Sequence, residues 1–332
     1  MTSVLLPAPY QQQALLPPMT RKLSVVVPAY NEEAVIEETH RRIAAACEQA
    51  AGDAFEVIYV DDGSVDSTWT KLQQLADQDS HVVAVTLSRN FGHQLALTAG
   101  LSLVRGELVM CIDADLQDPP ELMGAMIAAI EQGADVVYGQ RESRAGESAF
   151  KLGTAAAFYR ILRRLTDVDI PADTGDFRLM RREVVEALLS MPEQHRFVRG
   201  LVSWVGFRQQ ALRYARQERF AGETKYPLKK MLKLAADAIT GFSTLPLKMA
   251  TWLAMASLAI ALSVGAYAVA EWLLGNTVPG WTSMVVVVSF LSSAQLLCLG
   301  ILGSYIGRLF MESKRRPLAI VREVKCIAQE RL

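Results

Sequence analysis

Short apolar runs alternate with longer segments of helical periodicity over the first 140 residues. Runs such as LSVVVP (residues 23–28) and VVAVTL (residues 82–87) are almost uninterrupted, which is typical of strands buried on both faces. The pattern predicts strands at residues 23–28, 55–60, 82–87, 107–112 and 135–138, and helices at residues 31–50, 66–76, 94–104 and from 119 onward. Strands alternating with helices predict an α/β fold with a mostly parallel sheet covered on both faces.

The second half of the chain is less regular and carries two long apolar segments. Met249–Ala270 contains about 22 residues and Thr282–Gly307 about 26, all uncharged. A helix needs roughly 20 apolar residues to cross a bilayer, so the pair predicts two membrane spans, with core helices of a soluble protein as the alternative. Residues 226–242 place apolar side chains at helical spacing with lysines between them. This pattern predicts an amphipathic helix at a membrane interface or, alternatively, an ordinary core helix.

Basic residues flank the two apolar segments, whereas the link between them, residues 271–281, contains neither Lys nor Arg. The flanking residues are Lys225, Lys229, Lys230, Lys233 and Lys248 before the first segment, and Arg308, Lys314, Arg315 and Arg316 after the second. Because positive charge stays on the cytoplasmic side, the N-terminal domain and both termini are predicted to be cytoplasmic, and the link to face outward.

Composition narrows the class of protein. The formal net charge is −1, so no overall field favours nucleic acid as a partner. The four cysteines, at positions 47, 111, 298 and 326, lack disulfide or zinc spacing, which fits a reduced, cytosolic domain. Residues 1–21 are rich in Pro and Gln and are predicted to form a flexible tail.

Pairs of acidic residues follow two of the predicted strands. Asp61 and Asp62 end one strand, and Asp113 and Asp115 end another. Because alternate strand residues share a face, Asp113 and Asp115 are predicted to point the same way, and their repulsion calls for a cation such as Mg²⁺ or Mn²⁺. The carboxyl ends of parallel strands meet at one edge of the sheet, so one pair is expected to hold a nucleoside and the other a metal on its diphosphate. Solvated acidic turns are the alternative.

The loop after the first strand reads PAYNE (residues 28–32) and not G-x-G-x-x-G, which disfavours a dinucleotide-binding oxidoreductase. The chain resembles instead the inverting family 2 glycosyltransferases with the glycosyltransferase A fold. The resemblance is carried by SVVVPAYNEE (24–33), VDDGSVDST (60–68), DADLQDPPEL (113–122) and TGDFRLMRR (174–182). GETKYP (222–227) and the two C-terminal spans make it similar to the polyprenyl-phosphate glycosyltransferases. These include dolichol-phosphate mannose synthases, bactoprenol glucosyltransferases and undecaprenyl-phosphate aminoarabinose transferases.

The resemblance covers about residues 22–320 and implies a domain order. A Rossmann-like glycosyltransferase A domain is expected at residues 22–225, followed by an amphipathic juxtamembrane helix at 226–245. A hairpin of two transmembrane helices at 246–310 and a cytoplasmic tail at 311–332 complete the chain. The location implied is the bacterial inner membrane.

The resemblance also assigns donor and metal residues. The residues expected to bind the nucleotide sugar are Pro28, Ala29, Tyr30, Glu32, Asp61, Asp62, Asp113 and Asp115. Asp62, or alternatively Asp61, would accept a hydrogen bond from the base, although an Asx turn with Gly63 and Ser64 is the simpler interpretation. Asp115 would contact Mg²⁺ or Mn²⁺ directly, beside Asp113 and with Gln117 as a further oxygen ligand.

Catalytic and acceptor residues are implied in the same way. The catalytic residues expected are Asp176, Asp115 and Arg141. Asp176 stands where inverting relatives carry a base-like acid, and some mannose synthases have Ser there, so an obligatory base role is open. Asp176 could instead cap a helix or pair with Arg178. The residues expected at the acceptor phosphate, assisted by Glu223, are Arg141, Lys151, Arg219 and Lys225, for which solvated surface charges are the alternative.

The activity implied is inverting transfer of one sugar, glucose from UDP-glucose, to undecaprenyl phosphate. The segments DTGDFRLM and GETKYPLKKML favour glucose, and UDP-aminoarabinose, UDP-N-acetylglucosamine, UDP-galactose and GDP-mannose are the alternative donors. A processive polysaccharide synthase is disfavoured because residues 194–197 lack a Q-x-x-R-W motif. An intact D-A-D-L-Q argues against a non-enzymatic scaffold. The small residues at 300–307 could pack spans within one chain or in a homo-oligomer.

Overall fold

Nine strands form one mixed sheet in the part of the chain that this computed structural model describes, residues 4–5, 21–141, 174–215, 245–275 and 280–327. The strands are β1 (Val4–Leu5), β2 (Arg21–Ala29), β3 (Phe55–Asp61), β4 (Val82–Leu87), β5 (Gly106–Cys111), β6 (Val136–Arg141), β7 (Thr174–Arg181), β8 (Gln209–Tyr214) and β9 (Ile320–Lys325). Their spatial order is β1-β9-β4-β3-β2-β5-β7-β6-β8.

Helices cover both faces of the sheet, and apolar side chains fill two separate cores between the sheet and these helices. The helices are α1 (Ile36–Ala51), α2 (Thr68–Gln78), α3 (His93–Leu101), α4 (Met123–Glu131), α5 (Arg182–Ser190), α6 (Val198–Trp204), α7 (Leu245–Leu273) and α8 (Trp281–Ser313), with a 3₁₀ turn at Pro120–Leu122. The predicted α/β fold is confirmed. The five predicted strands correspond to β2–β6, whose apolar runs are buried in the sheet.

Helix α1 begins at Ile36, five residues after the predicted start at residue 31, which had been inferred from acidic residues. Asn31 adopts a left-handed conformation with φ of 53°, which interrupts a helix. The backbone N–H groups of Asn31 and Glu32 donate to Ser64 Oγ and Thr68 Oγ1, each at 2.9 Å. Residues 31–35 therefore form a connection that joins the ends of β2 and β3, and α1 follows at Ile36.

Strand β7 was not predicted, and it changes the sheet from mostly parallel to mixed. It lies between β5 and β6 and pairs antiparallel with both. Residues 174–180 are all buried although they include Asp176 and Arg178. Buried charges paired inside the protein break the apolar run by which a central strand is normally recognised.

The two terminal segments also depart from the predicted tails. Strand β9 pairs antiparallel with β4, and β1 pairs antiparallel with β9, so residues 4–5 and 320–325 belong to the sheet. These paired strands lie within the predicted flexible tail at 1–21 and the predicted C-terminal tail at 311–332. Strand β9, supplied from the C-terminal segment, covers backbone groups of β4 that would otherwise face solvent.

The two apolar segments form the long helices α7 and α8. Pro246–Glu271 and Val286–Ser313 are long and apolar enough to cross a membrane, and almost none of their side chains are buried within the protein. An ordinary core helix would be covered on at least one face. The predicted amphipathic helix at residues 226–242 lies outside the described residues.

Candidate functional site

The candidate site lies at the edge of the sheet where the parallel strands β2, β3, β4 and β5 end. Strand β7 runs the other way and so begins at this same edge. Its pairing with β5 aligns Cys111 with Arg178. Asp113, just after β5, and Asp176, near the start of β7, lie close enough together to flank the same His93 Nε2 atom, at 3.5 and 3.1 Å. The sheet therefore brings together the two acidic motifs that the sequence separates by about 60 residues.

Asp61 and Asp62 are buried and already hydrogen bonded within the protein. Asp61 accepts from the backbone N–H of Ser64 (3.1 Å) through Oδ1 and from the Thr86 hydroxyl (2.8 Å) through Oδ2. Asp62 accepts from the N–H groups of Phe91 (2.7 Å) and Gly92 (2.9 Å). Burial raises the pKa of Asp62, and these two backbone hydrogen bonds oppose the rise. The first acidic pair therefore stabilises the loops that follow β3 and β4.

Asp113 and Asp115 are arranged differently from the prediction. Strand β5 ends at Cys111, Ala114 and Asp115 lie in a turn, and Leu116 has φ of 58°, so strand periodicity does not orient the two carboxylates. The hydroxyl of Thr39 on α1 donates to the Ala114 carbonyl (2.8 Å) and fixes the turn. The loop after β5, and not the strand itself, therefore sets the geometry of this second pair.

Asp113 presents an unsatisfied oxygen to the site. Its side chain is 29% exposed as a whole, yet Oδ1 is buried without a hydrogen-bond partner, and the Nε2 atom of His93 lies 3.5 Å away. Burial raises the pKa of Asp113 to about 6; the charge of His93 opposes this rise and the carboxylates of Asp176, Asp118 and Asp115 add to it. A buried carboxylate oxygen without a donor is costly unless a ligand satisfies it.

The donor atoms around Asp113 suit a hard divalent cation. Within the described ranges, no group of three or more His, Cys, Asp or Glu side chains is close enough to hold a metal by itself. Mg²⁺ and Mn²⁺ at phosphate-transfer sites commonly use one or two carboxylates together with water and substrate oxygens. The open oxygen of Asp113, the carboxylate of Asp115 and the amide of Gln117 fit such a partial ligand set, with Asp115 Oδ1 accepting from the Gln117 N–H (3.2 Å).

Asp176 lies at the centre of a buried charge network that the sequence did not indicate. Arg199 donates to both of its oxygens (2.9 and 3.2 Å), while His93 Nε2 (3.1 Å) and Gln94 Nε2 (2.9 Å) contact Oδ2. Burial alone would raise the pKa of Asp176, but Arg199 and His93 hold it well below its usual range. Arg178, the predicted alternative partner, is at 3.9 Å. A carboxylate so strongly held in its charged form is a weak proton acceptor.

His93 links the two acidic motifs across the site. Its Nε2 atom lies 3.1 Å from Asp176 Oδ2 and 3.5 Å from Asp113 Oδ1. Burial opposes protonation of His93, yet Asp113 and Asp176 together raise its pKa to about 9. His93 begins α3, and no spacing rule relates it to residues 113 or 176, so only the folded sheet reveals this role.

Arg141 is oriented by two residues that sequence reasoning did not select. Its Nη2 atom donates to Asp118 (3.4 Å), and its Nε atom donates to the Tyr214 hydroxyl (3.3 Å). Tyr214 in turn donates to the fully buried carboxylate of Asp118. A Cβ on Gly175 would lie 2.7 Å from Arg141 Nη2, so glycine permits this close approach. The sequence offered one indication of Asp118, its position in the DLQD motif, and none of Tyr214.

The remaining predicted residues divide into two groups. Pro28 and Ala29 are buried at the end of β2, Tyr30 is 38% exposed, and Glu32 is partly buried in the connection to α1. They lie at the same edge as the acidic motifs. The predicted acceptor residues Lys151, Arg219 and Lys225, with Glu223, lie outside the described residues.

Comparison with known proteins identifies the class. A model described as "Glycosyl transferase family 2" matches residues 24–189. The chain belongs to this family, has its glycosyltransferase A fold and is a glycosyltransferase.

Several relatives in sequence cover nearly the whole chain. The chain is similar to the "Uncharacterized glycosyltransferase YkcC" of Bacillus subtilis, with 47% identity over 93% of this chain and 96% of the relative. It is similar to the "Bactoprenol glucosyl transferase" of Shigella phage SfV, with 39% identity over 92% and 99%. A weaker likeness is to a glucosyl-3-phosphoglycerate synthase of Mycobacterium tuberculosis solved with Mn²⁺, UDP-glucose and phosphoglyceric acid. That likeness has 22% identity and a TM-score of 0.43 over 66% of this chain and 78% of that chain.

Proposed function

We propose that this protein transfers one glucose from UDP-glucose to undecaprenyl phosphate, with inversion, on the cytoplasmic face of the bacterial inner membrane. The observation that carries the proposal is the buried Asp113 Oδ1, which lacks a hydrogen-bond partner, in a chain that also has two exposed apolar helices. An acidic site that needs a cation suits a nucleoside-diphosphate donor. Helices of membrane-spanning length suit a lipid acceptor. The resemblance to bactoprenol glucosyl transferases joins the two features.

Asp176 acts in this proposal by positioning and not as a base. The second pKa of a phosphate monoester is about 6, so the acceptor is largely ionised at pH 7 and attacks without a strong base. Asp176 is fixed by Arg199, His93 and Gln94 and holds His93 beside Asp113. His93 therefore contributes positive charge where the donor diphosphate departs.

Charge compensation is the main task of the remaining residues. Asp113, Asp115 and Gln117 would hold Mg²⁺ or Mn²⁺, which supplies Lewis-acid stabilisation to the departing diphosphate. Arg141, oriented by Asp118 and Tyr214, faces the site where two anions must approach each other. Its guanidinium steadies a phosphate, and we place Lys151, Arg219 and Lys225 at the acceptor phosphate on the resemblance alone.

Transfer to lipid tests the function directly. Purified protein in detergent is given undecaprenyl phosphate and, in turn, radiolabelled UDP-glucose, UDP-galactose, UDP-N-acetylglucosamine, UDP-aminoarabinose or GDP-mannose. We expect a lipid-soluble product from UDP-glucose that requires Mg²⁺ or Mn²⁺ and disappears with EDTA. Product from a different donor would correct the sugar. Absence of lipid product from every donor, with folded protein, would contradict the proposed acceptor.

The proposed topology follows from charge, since basic residues border the spans on the side of the catalytic domain and none lies in the link at 271–281. An Asn276→Cys variant in intact cells is expected to react with a membrane-impermeant maleimide added outside. The unmodified chain, with its native cysteines, is the control. Labelling only after the cells are opened would reverse the orientation.

A further inference from the structure

A cavity of about 250 Å³ opens between the ends of β3, β4 and β9, beside the candidate site. Its polar lining comes from Asp61, Gly63, Ser64 and Arg89 and, from the C-terminal strand, Arg322 and Glu323. Small-molecule sites usually measure about 300–1,000 Å³, so this cavity suits one end of a ligand and not a whole nucleotide sugar.

A β-bulge directs Arg322 into the cavity. Strand β4 pairs Thr86 with Glu323 and Leu87 with Val321, which leaves Arg322 as an extra residue in β9. Consecutive residues of a regular strand point to opposite faces, whereas a bulge re-aims one of them. Both Arg322 and Glu323 therefore line the same cavity.

The cavity favours a ligand rich in hydrogen-bond acceptors. Arg322 and Arg89 bring two guanidinium groups, and the Arg89 group lies 4.0 Å from the ring centre of Phe91. Asp61 already accepts hydrogen bonds from Ser64 and Thr86, so its charge is partly compensated. Gly63 has φ of +68°, and a Cβ there would lie 2.7 Å from the Arg89 backbone, so this wall is fixed in place.

The position of the cavity matches the far end of the donor. Neighbouring strands are about 4.8 Å apart, so β3 and β4 lie two and three spacings, about 10–14 Å, from β5 and its acidic loop, and β9 lies four spacings, about 19 Å, away. An extended nucleoside diphosphate with its diphosphate at Asp113–Asp115 reaches β3 and β4, and the long side chain of Arg322 must cover the remaining distance from β9. The base and ribose then reach the cavity, where carbonyl and hydroxyl oxygens can accept from Arg322.

We propose that Arg322 binds the nucleoside end of the donor, so that the strand following the second apolar helix completes the donor site. This inference rests on the proposed use of a nucleoside-diphosphate sugar. Strand β9 starts seven residues after α8 ends. The backbone N–H of Gln194 donates to Glu312 Oε1 and its side chain to the Arg316 carbonyl, each at 2.7 Å. The donor pocket and the membrane hairpin thus share a rigid connection.

The test compares two basic residues of the same strand in the full chain. Lys325 pairs with Asp77 (2.6 Å) and does not line the cavity, so Lys325→Ala is the matched control for Arg322→Ala. Calorimetric titration with UDP is expected to give a Kd about tenfold higher for Arg322→Ala, as loss of a charged hydrogen bond implies, and within twofold of the unmodified chain for Lys325→Ala.

Kinetics separate a binding role from a structural one. Arg322→Ala is expected to raise the KM for the donor and leave the KM for undecaprenyl phosphate unchanged. Equal UDP affinity of Arg322→Ala and the unmodified chain, while sugar transfer persists, would overturn the inference alone. Weaker UDP binding by Arg322→Ala in a protein that transfers no sugar to lipid would support the inference and overturn the proposed acceptor.

Discussion

Both acidic pairs of this enzyme stand at the carboxyl end of a parallel strand, but their carboxylates differ in hydrogen bonding. Asp61 and Asp62 end β3, and each of their four oxygens accepts a hydrogen bond from a neighbouring loop or strand. Asp113 and Asp115 follow β5, where Asp113 Oδ1 is buried without a hydrogen-bond donor. The first pair holds loops together, whereas the second pair includes one carboxylate oxygen, Asp113 Oδ1, that the described part of the protein leaves without a hydrogen bond.

The difference arises from the backbone that surrounds each pair. Beside Asp61 and Asp62, the loop after β4 turns so that the N–H groups of Phe91 and Gly92 point at a carboxylate. Beside Asp113, the neighbouring element is β7, which contributes a third carboxylate, Asp176. Identical residue types therefore differ in how many of their oxygens receive a hydrogen bond, according to the donors that tertiary packing supplies.

Loss of Asp115 is expected to have the largest effect. Asp115→Asn keeps the size of the side chain and removes one negative charge from the proposed metal site. We expect the transfer rate at saturating Mg²⁺ or Mn²⁺ to fall about 100-fold or more, because stabilisation of the departing diphosphate is lost. The thermal unfolding midpoint should be nearly unchanged. A rate within threefold of the unmodified enzyme would remove Asp115 from the mechanism.

Disruption of the charge network around Asp176 is expected to have the second largest effect, seen in the stability of the protein. Arg199→Ala leaves a buried carboxylate with His93, Gln94 and the more distant Arg178 as its remaining partners, so we expect a loss of about 2–3 kcal/mol in unfolding free energy. For a domain of this size that corresponds to a lower thermal midpoint by about 4–10 °C. Arg199→Lys, which keeps the charge, serves as control and should recover part of the loss. An unchanged midpoint in Arg199→Ala would show that the network contributes no stability.

A substitution in the hydrogen-bonded pair, Asp61 and Asp62, should lower the stability of the protein without changing its metal requirement. In Asp62→Asn the amide nitrogen cannot accept from one of the two N–H groups of Phe91 and Gly92. We expect a loss of about 1–3 kcal/mol, measured as a lower thermal midpoint. If Asp62→Asn changed the concentration of metal needed for half-maximal transfer, while stability stayed constant, the two pairs would not be distinct.

The smallest effect is expected at Tyr214, which orients Arg141 from a distance. Tyr214→Phe removes the hydroxyl that contacts Asp118 and Arg141 without changing the packing of the ring against Phe177. Of the two hydrogen bonds lost, the one to Arg141 bears on the acceptor, and about 1 kcal/mol corresponds to about a fivefold change in the acceptor KM. Steady-state rates at varied undecaprenyl phosphate measure it. A change in the donor KM instead would place Arg141 at the donor phosphates.

The sequence predicted the parallel part of the fold well for a physical reason. Strand β4 was predicted at its observed bounds, because a strand buried on both faces must be apolar throughout. Strand β7 was missed because Asp176 and Arg178 are buried in pairs, and β9 was missed because it carries exposed charges and has only the two-residue β1 on its outer side. Apolar sequence patterns indicate which segments are buried. They therefore fail to predict strands that bury charged pairs or that expose charged side chains.

The candidate site was predicted in its chemistry and only partly in its geometry. The acidic motifs were found, but the strand periodicity invoked for Asp113 and Asp115 does not apply, since both follow the end of β5. His93 and Arg199 come from different helices and meet at Asp176 on β7, whereas Asp118 and Tyr214 meet at Arg141 on β6. Contacts between residues far apart in the chain carry no local periodicity from which to predict them.

Binding of Mn²⁺ measured by electron paramagnetic resonance, in the presence of UDP, tests the distinction between the two acidic pairs most directly. Asp113→Asn and Asp62→Asn make the same chemical change in each pair. The account predicts that Asp113→Asn weakens Mn²⁺ affinity at least tenfold, whereas Asp62→Asn leaves it within twofold of the unmodified enzyme. Equal affinities in all three proteins, or a loss confined to Asp62→Asn, would contradict the proposed assignment of Asp113 and Asp115 to the metal site.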